Sequence, residues 1–369
     1  MRKDQIAIAV IAGSHAYGME TVDSDIDLKG IFIPDVNCYL DGSKQEQFQD
    51  KEKIKELCFP MLSSDYQEKA QANGMEGVFY ELNRFVDLAS TANPNILDIL
   101  FCRDEDVIHS NWIGEELRRN RNNFLTKKCL QTFVGYATAQ MKKMETHRKW
   151  LINPPLVAPT KEEFGLKERQ QIPHDQILAA TSLIKKQIDS WSIDFADLDE
   201  ATKIYIEDQI AKNLAEMNVS SKHKFSCAGK LLGYDDNFME MIVAQREYDS
   251  AMNHFRSYEI WKKERNKKRQ GMEAKIGYDV KHAAHLYRLI LACKYLFENG
   301  ELIVYNPNPF LLDIRRGNVA YDVLMQNVNA EKDNLSKIAV SSNLPKSVDK
   351  QWISDLVISI LKKQFSISI

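Results

Sequence analysis

Two apolar runs, joined by a glycine turn and closed by a pair of aspartates, restrict this chain more than any other stretch. Residues 6–12 read IAIAVIA and lead into Gly13-Ser14. Asp25 and Asp27 flank Ile26, and a second apolar run, Gly30 to Ile33, stops at Pro34. Runs of Ile, Val and Ala of this length suit strands buried on both faces. The stretch reads as strand, tight glycine turn, short helix, strand, with both carboxylates on the second strand.

Residues i and i+2 of a strand point to one face, with Cα atoms roughly 6.6 Å apart. Two carboxylates about 4 Å apart, at an effective dielectric near ~20, repel by about 4 kcal/mol. Such a pair needs a cation, a shared proton or full solvation. Oxygen-only ligands on a rigid strand suit Mg²⁺ or Mn²⁺, which complete their shells with water and phosphate. Gly13 lets a backbone approach a phosphate closely, and Ser14 offers a hydroxyl and an N–H at a helix start, where anions are favoured. Phosphate at one end and metal at the other is the layout for metal-assisted phosphoryl or nucleotidyl transfer. Singly, S-D-x-D is also a common turn or cap and Gly-Ser is a weak signal. The joint spacing, G-S-x10-D-x-D between two apolar strands, is far more specific.

The 369 residues allow two domains of ordinary size. With 49 basic and 52 acidic side chains the chain is not a globally basic nucleic-acid binder, although a local basic face is allowed. No stretch approaches 18 consecutive apolar residues, which argues against a membrane span, and residues 6–12 are too short for a signal-peptide core. The six cysteines are scattered with no C-x-x-C pair, as expected of reduced cytoplasmic thiols. Residues 44–58 are undecided between helix and exposed strands, and residues 63–77 read as a polar loop. A helical pattern starts at Phe79, and Asn95 caps a following helix to Phe101. A boundary near residue 110 separates an α+β domain, residues 1–110, from a mostly α-helical domain, residues 111–369. In the latter, residues 153–175 form a proline-bearing connecting arm. Helices are predicted around residues 130–152, 175–190, 199–217, 236–265, 278–297 and 349–365, with a short strand or extended segment at residues 302–305.

Between Phe255 and Lys294 stand eleven Lys or Arg against four acids, interleaved with Tyr258, Trp261 and Tyr278. Such a stripe can neutralise phosphates and stack bases, and is equally readable as a solvated basic face. Arg265, Lys267, Lys268 and Arg269 are its densest part. Arg315 and Arg316 are a second anion candidate, and His147, Arg148 and Lys149 a weaker one. Lys281, His285 and Arg288 fall at i, i+4, i+7 on one helix face, with His282 beside them. A zinc site there would need carboxylate or cysteine company, and none is evident in the sequence.

The stretch GSHAYGMETVDSDIDLKGIF resembles the signature of the DNA polymerase-β nucleotidyltransferase superfamily. Ala-Tyr-Gly after Ser-His, and Gly-Ile-Phe after the second Asp, resemble its predicted RNA-repair branch, found in bacteria and large tailed phages. MEGVFYELNRFVDLASTANPNILDILF is similar to the family segment that carries a third carboxylate. HRKWLINPP, EIWKKERNKKR, GYDVKHAAHLYRLI and LLDIRRG also look like family segments, so the resemblance covers nearly the whole chain.

The resemblance implies a polymerase-β-type fold, a mixed sheet with helices, followed by a helical domain. It implies Mg²⁺ or Mn²⁺, two ions, held by Asp25, Asp27 and Glu76. Glu76 stands where the family usually has Asp, with Glu81 and Asp65 nearby as alternatives. Gly13, Ser14, His15 and Tyr17 would bind the nucleotide, with Lys281, His282, His285 and Arg288 contacting it from the helical domain. The expected reaction is transfer of an NMP from an NTP to a hydroxyl, with release of pyrophosphate. The favoured acceptor is an RNA 3′ end, possibly a tRNA, in the cytoplasm of a bacterium or phage-infected host. Two rivals stand beside it: nucleotidylation of a protein or small molecule, and an inactive nucleotide- or RNA-binding module.

Overall fold

The computed structural model describes residues 1–40, 43, 45–168, 173–189, 221–265 and 267–366. The helix expected at residues 199–217 lies outside them. The described residues fall into two compact units, residues 1–152 with 267–369 and residues 153–266.

The first unit opens with β1 (Ile6–Ala12), α1 (Gly13–Tyr17), β2 (Ile26–Phe32), α2 (Val36–Leu40), β3 (Gln47–Phe48) and α3 (Lys51–Cys58). There follow α4 (Ser64–Asn73), β4 (Met75–Glu81), α5 (Leu82–Ser90), α6 (Pro94–Phe101), β5 (Val107–Ser110) and α7 (Trp112–Arg119). The strands form one mixed sheet in the order β3-β4-β2-β1-β5, parallel only between β2 and β4. All seven residues of β1 are buried, because both faces of the sheet are covered. Ile6, Ala9 and Ile11 join Ile54, Cys58 and Phe79 in one core, while Ala7, Ile8 and Val10 join α5, α6 and the later helices in the other.

The helical part begins with α8 (Lys128–Ile152). In the second unit lie α9 (His174–Asp189), α10 (Ser221–Leu231) and α11 (Asp236–Glu264), with their own small core around Ile184, Phe225 and Ile242. The chain returns to the first unit through α12 (Lys267–Ile276), α13 (Val280–Asn299), α14 (Pro309–Arg316), α15 (Tyr321–Val340) and α16 (Lys350–Phe365). Asp279 caps α13 by accepting from the Lys281 and His282 amides, and Gly300 ends it in a left-handed conformation. The helix is buried on most of its circumference, which makes it the centre of the larger core. The architecture is the expected α+β one, a mixed sheet with helices followed by a mostly helical part.

Several local expectations are corrected. Residues 63–77 are not a loop but α4 and the start of β4. The periodicity from Phe79 is that of a strand to Glu81 and a helix from Leu82, and β5 extends the sheet to Ser110. The cap of α6 is Asn93, whose side chain accepts from the Asn95 amide, with Pro94 at the first helical position. Of the two alternatives open for residues 302–305, a short strand or an extended segment, the strand is absent, and Leu302 and Val304 bury their side chains in a segment without regular structure. Among the described residues no helix is long and apolar enough to cross a membrane.

Candidate active site

The carboxylates meet where β1, β2 and β4 run side by side. Asp27 pairs in register with Ala12 on one neighbour and with Glu76 on the other. Asp25 lies just before β2 and is exposed, as is Glu76, while Asp27 is half-buried. One oxygen from each of Asp25, Asp27 and Glu76 lies within 4.8 Å of the others. Burial, then the charges of Asp25 and Glu76, pushes Asp27 up to about 6, against the opposing pull of Lys281 and Lys29. Three hard oxygen donors this close, one of them holding its proton unusually well, form a set that fits a divalent cation such as Mg²⁺ or Mn²⁺. The sequence alternatives to Glu76 are placed elsewhere. Glu81 caps α5 and accepts from Tyr39 Oη at 2.7 Å, and Asp65 lies in the first turn of α4.

Gly13 turns the chain at the end of β1 with φ +61°. A Cβ built on it would fall on the Asp27 carboxylate, so the absent side chain is what gives Asp27 its room. Ser14 follows at the start of α1. His15 is buried, and burial lowers its basicity; its ring meets Tyr66 edge-on at 5.6 Å. Tyr17 is buried and its hydroxyl donates to Asp98 Oδ2 at 2.7 Å.

From α13, Arg288 lays its guanidinium over the Tyr17 ring at 3.6 Å and lies 3.8 Å from Asp98. His285 meets the same ring edge-on at 5.8 Å. It is held neutral by burial and by the charges of Arg288, Lys281 and Arg315. Lys281 belongs to this group through its electrostatic effect on Asp27. Arg315 donates to the Met19 carbonyl at 3.4 Å, beside α1, whereas Arg316 is exposed. Lys29 was not expected. It stands half-buried two residues beyond Asp27 and donates to the Asn95 carbonyl at 2.7 Å, with desolvation depressing its basicity. Its position at i+2 from Asp27 on a strand was the signal available.

His282 departs from this group. Its Nδ1 lies 2.7 Å from Gln140 Oε1 on α8, and its ring meets His147 at 5.2 Å between centroids. Asp279 completes a trio with His147 and His282, so carboxylate company for these histidines does exist, contrary to the sequence expectation. Burial lowers His282 to about 4, against the pull of Asp279. Asp279, despite its burial, is held well below the usual carboxylate range by the hydrogen bond to His147 and the neighbouring His282.

In the second unit, Arg265 lies over the Trp261 ring at 4.7 Å, and Lys262 faces the ring of the buried Tyr258 at 5.7 Å. The side chains of Lys267, Lys268 and Arg269 lie outside the described residues. Arg148 donates to the Gly277 carbonyl and covers the Tyr321 ring, which gives it a structural engagement.

The family model described as the RNA repair pathway DNA polymerase beta family matches residues 2–154. A protein of Enterobacteria phage T4, described as an uncharacterized 38.9 kDa protein in the nrdC-mobD intergenic region, is 22% identical over 356 residues, 94% of each chain. No solved structure gives a significant match. The matched region holds the whole sheet, the glycine turn and all three carboxylates, so residues 2–154 are similar to the RNA repair pathway DNA polymerase beta family in the part that carries the candidate site.

Proposed function

We propose that this chain is a divalent-metal-dependent nucleotidyltransferase that moves an NMP from an NTP to a hydroxyl at an RNA 3′ end, releasing pyrophosphate. The observation that carries the reading is the convergence of Asp25, Asp27 and Glu76 beside the Gly13-Ser14 turn. Bound to these carboxylates, divalent cations would offset phosphate charge and favour ionisation of the attacking hydroxyl. The remaining work falls to the chain itself. Asp25 and Asp27 fix the place where the α-phosphate is presented. The Ser14 hydroxyl and amide orient the triphosphate from the start of α1. Lys281 adds positive charge on the side of Asp27, toward the phosphates. A Glu76 carboxylate oxygen takes the proton of the acceptor hydroxyl. Glu in place of Asp is compatible with that role, because Glu76 stands in register with Asp27 on the adjoining strand.

The test is incubation with α-labelled NTPs and RNA, followed by separate analysis of RNA and protein. Wild-type protein transfers label to RNA. Asp25→Ala/Asp27→Ala abolishes transfer, and Glu76→Ala lowers it by at least ~100-fold. Undiminished transfer by the double variant would sink the reading, and label in the protein fraction alone would move the acceptor to a different class.

A further inference from the structure

The trio His147, Asp279 and His282 lies outside the carboxylate cluster and is built from two helices. His147 comes from the last turns of α8, and Asp279 and His282 stand at the start of α13 as a D-x-x-H pair. His147 Nδ1 lies 3.0 Å from Asp279 Oδ2, and His282 Nε2 lies 3.7 Å from the same oxygen. One ligand atom from each residue lies within 4.8 Å of the other two. Four-coordinate zinc has bonds of about 2.0–2.1 Å, which places neighbouring ligand atoms roughly 3.3 Å apart. The two measured edges bracket that separation.

The atoms around the trio leave the right lone pairs inside it. Gln140 Oε1 can only accept, so His282 Nδ1 donates to it and the neutral ring turns its Nε2 lone pair toward the Asp279 carboxylate. A lone pair facing an anionic oxygen is unfavourable until a cation lies between them. Asp279 Oδ1 is occupied by the two amides of the α13 cap, which fixes the carboxylate and leaves Oδ2 for the histidines. His147 is stacked on Trp150 with centroids 5.4 Å apart, which holds its ring plane. Outer contacts of this kind orient metal ligands and set their tautomers. All three side chains are mostly covered, with 12–23% exposed.

We propose that His147 Nδ1, Asp279 Oδ2 and His282 Nε2 form a zinc site that fastens the first turn of α13 to α8 and leaves a fourth position open. Two imidazoles and one carboxylate favour Zn²⁺ over Mg²⁺, which prefers an all-oxygen shell. The nearby charges of Lys143 and Lys281 further disfavour a weakly held ion. Binding requires the proton that His147 Nδ1 otherwise donates to Asp279 to pass through solvent to its own Nε2, so that the ring stays neutral and Nδ1 presents its lone pair to the ion. Lys281 is carried on the same turn, so the site would also fix the lysine whose charge acts on Asp27.

The full chain, stripped with a chelator, is titrated with Zn²⁺ against a chromophoric competitor and separately with Co²⁺. One equivalent of Zn²⁺ per chain is expected, unchanged in Asp25→Asn/Asp27→Asn. Co²⁺ should give the visible bands of a low-coordinate centre without thiolate charge transfer. His147→Gln/His282→Gln should weaken Zn²⁺ binding by at least ~100-fold, and Gln140→Leu, which keeps all three ligands, by about tenfold. Absence of bound Zn²⁺ in the wild type overturns the proposal. So does undiminished affinity in the Gln140→Leu or double-histidine variant, or Zn²⁺ binding lost with the aspartates of the other cluster.

Discussion

Gly13 and Asp27 share one volume. Gly13→Ala would place a methyl group on the Asp27 carboxylate and hold a non-glycine residue at φ +61°. The expected cost is about 2–4 kcal/mol of stability, with nucleotidyl transfer falling at least ~100-fold. Thermal unfolding and transfer assays on the same preparation check both. Asp27 sets a second expectation. Its folded-state affinity for a proton corresponds to about 6, above the ordinary 3.8. The folded form therefore holds the proton more tightly than the unfolded form. That contribution to stability is complete below about pH 3.8 and is lost as pH rises through about 6. Metal-free protein should thus lose up to roughly 3 kcal/mol between these limits, and Asp27→Asn should flatten that part of the profile. Mg²⁺ should raise the unfolding midpoint more at pH 7.5 than at pH 5. Equal Mg²⁺ shifts at the two pH values, or an unaltered profile in Asp27→Asn, would count against it. The aspartate pair is legible in the sequence because i and i+2 is a local relation, although Asp25 stands just before β2 rather than on it. Glu76 is not, because its place depends on a parallel register between strands 49 positions apart, Asp27 opposite Glu76. Only the family resemblance pointed to it. His147 and Asp279 were hidden for the same reason, being 132 residues apart.

At the scale of elements, β2 carries the site because it is clamped from both sides. Gly30 on β2 lies against the Phe79 ring of β4 and the Ile8 carbonyl of β1. Gly30→Ala has no room to relax across the strand, and an overpacking cost of about 2–3 kcal/mol is expected. Denaturant unfolding measures it, and a cost below ~0.5 kcal/mol would mean that the sheet yields more than its packing suggests. The same strand pair explains one misread element. Phe79 happens to fall in helical phase with Leu82, Phe85, Val86 and Ala89, yet it packs into the core on the opposite face of the sheet. A chance phase match across a strand-to-helix junction is invisible to periodicity. α4 escaped for the opposite reason, since Ala70 is its one buried residue and its polar surface carries almost no stripe. Helices α13 and α16 were readable because an apolar face follows a side-chain cap, Asp279 and Asp349, that accepts from the first-turn amides.

At the scale of the molecule, the family match ends at residue 154 while the compact unit that contains it continues from Lys267. Tyr17 needs Arg288 over its ring, and β1 shares a core with α13. A fragment ending at Ile152 should therefore expose apolar surface and unfold without a cooperative transition, whereas the full chain should show one for this unit. Calorimetry and dye binding distinguish the two, and a cooperative, soluble fragment would contradict the shared core. The expected boundary near residue 110 followed the end of the segment that carries the glycine turn and the carboxylates. Which later helices close the core is a long-range property that no local pattern encodes.

That division also bears on how the protein is born. When Ile152 leaves the ribosome, the helix that completes its core begins at Val280, with the second unit still to be made. Roughly 130 further residues, at a translation rate of ~5–20 per second, amount to on the order of ten seconds. For that interval the face of the nascent sheet that will receive α13 has no partner in its own chain. The time spent in that state, as much as the strength of the finished packing, sets the demand this protein places on chaperones.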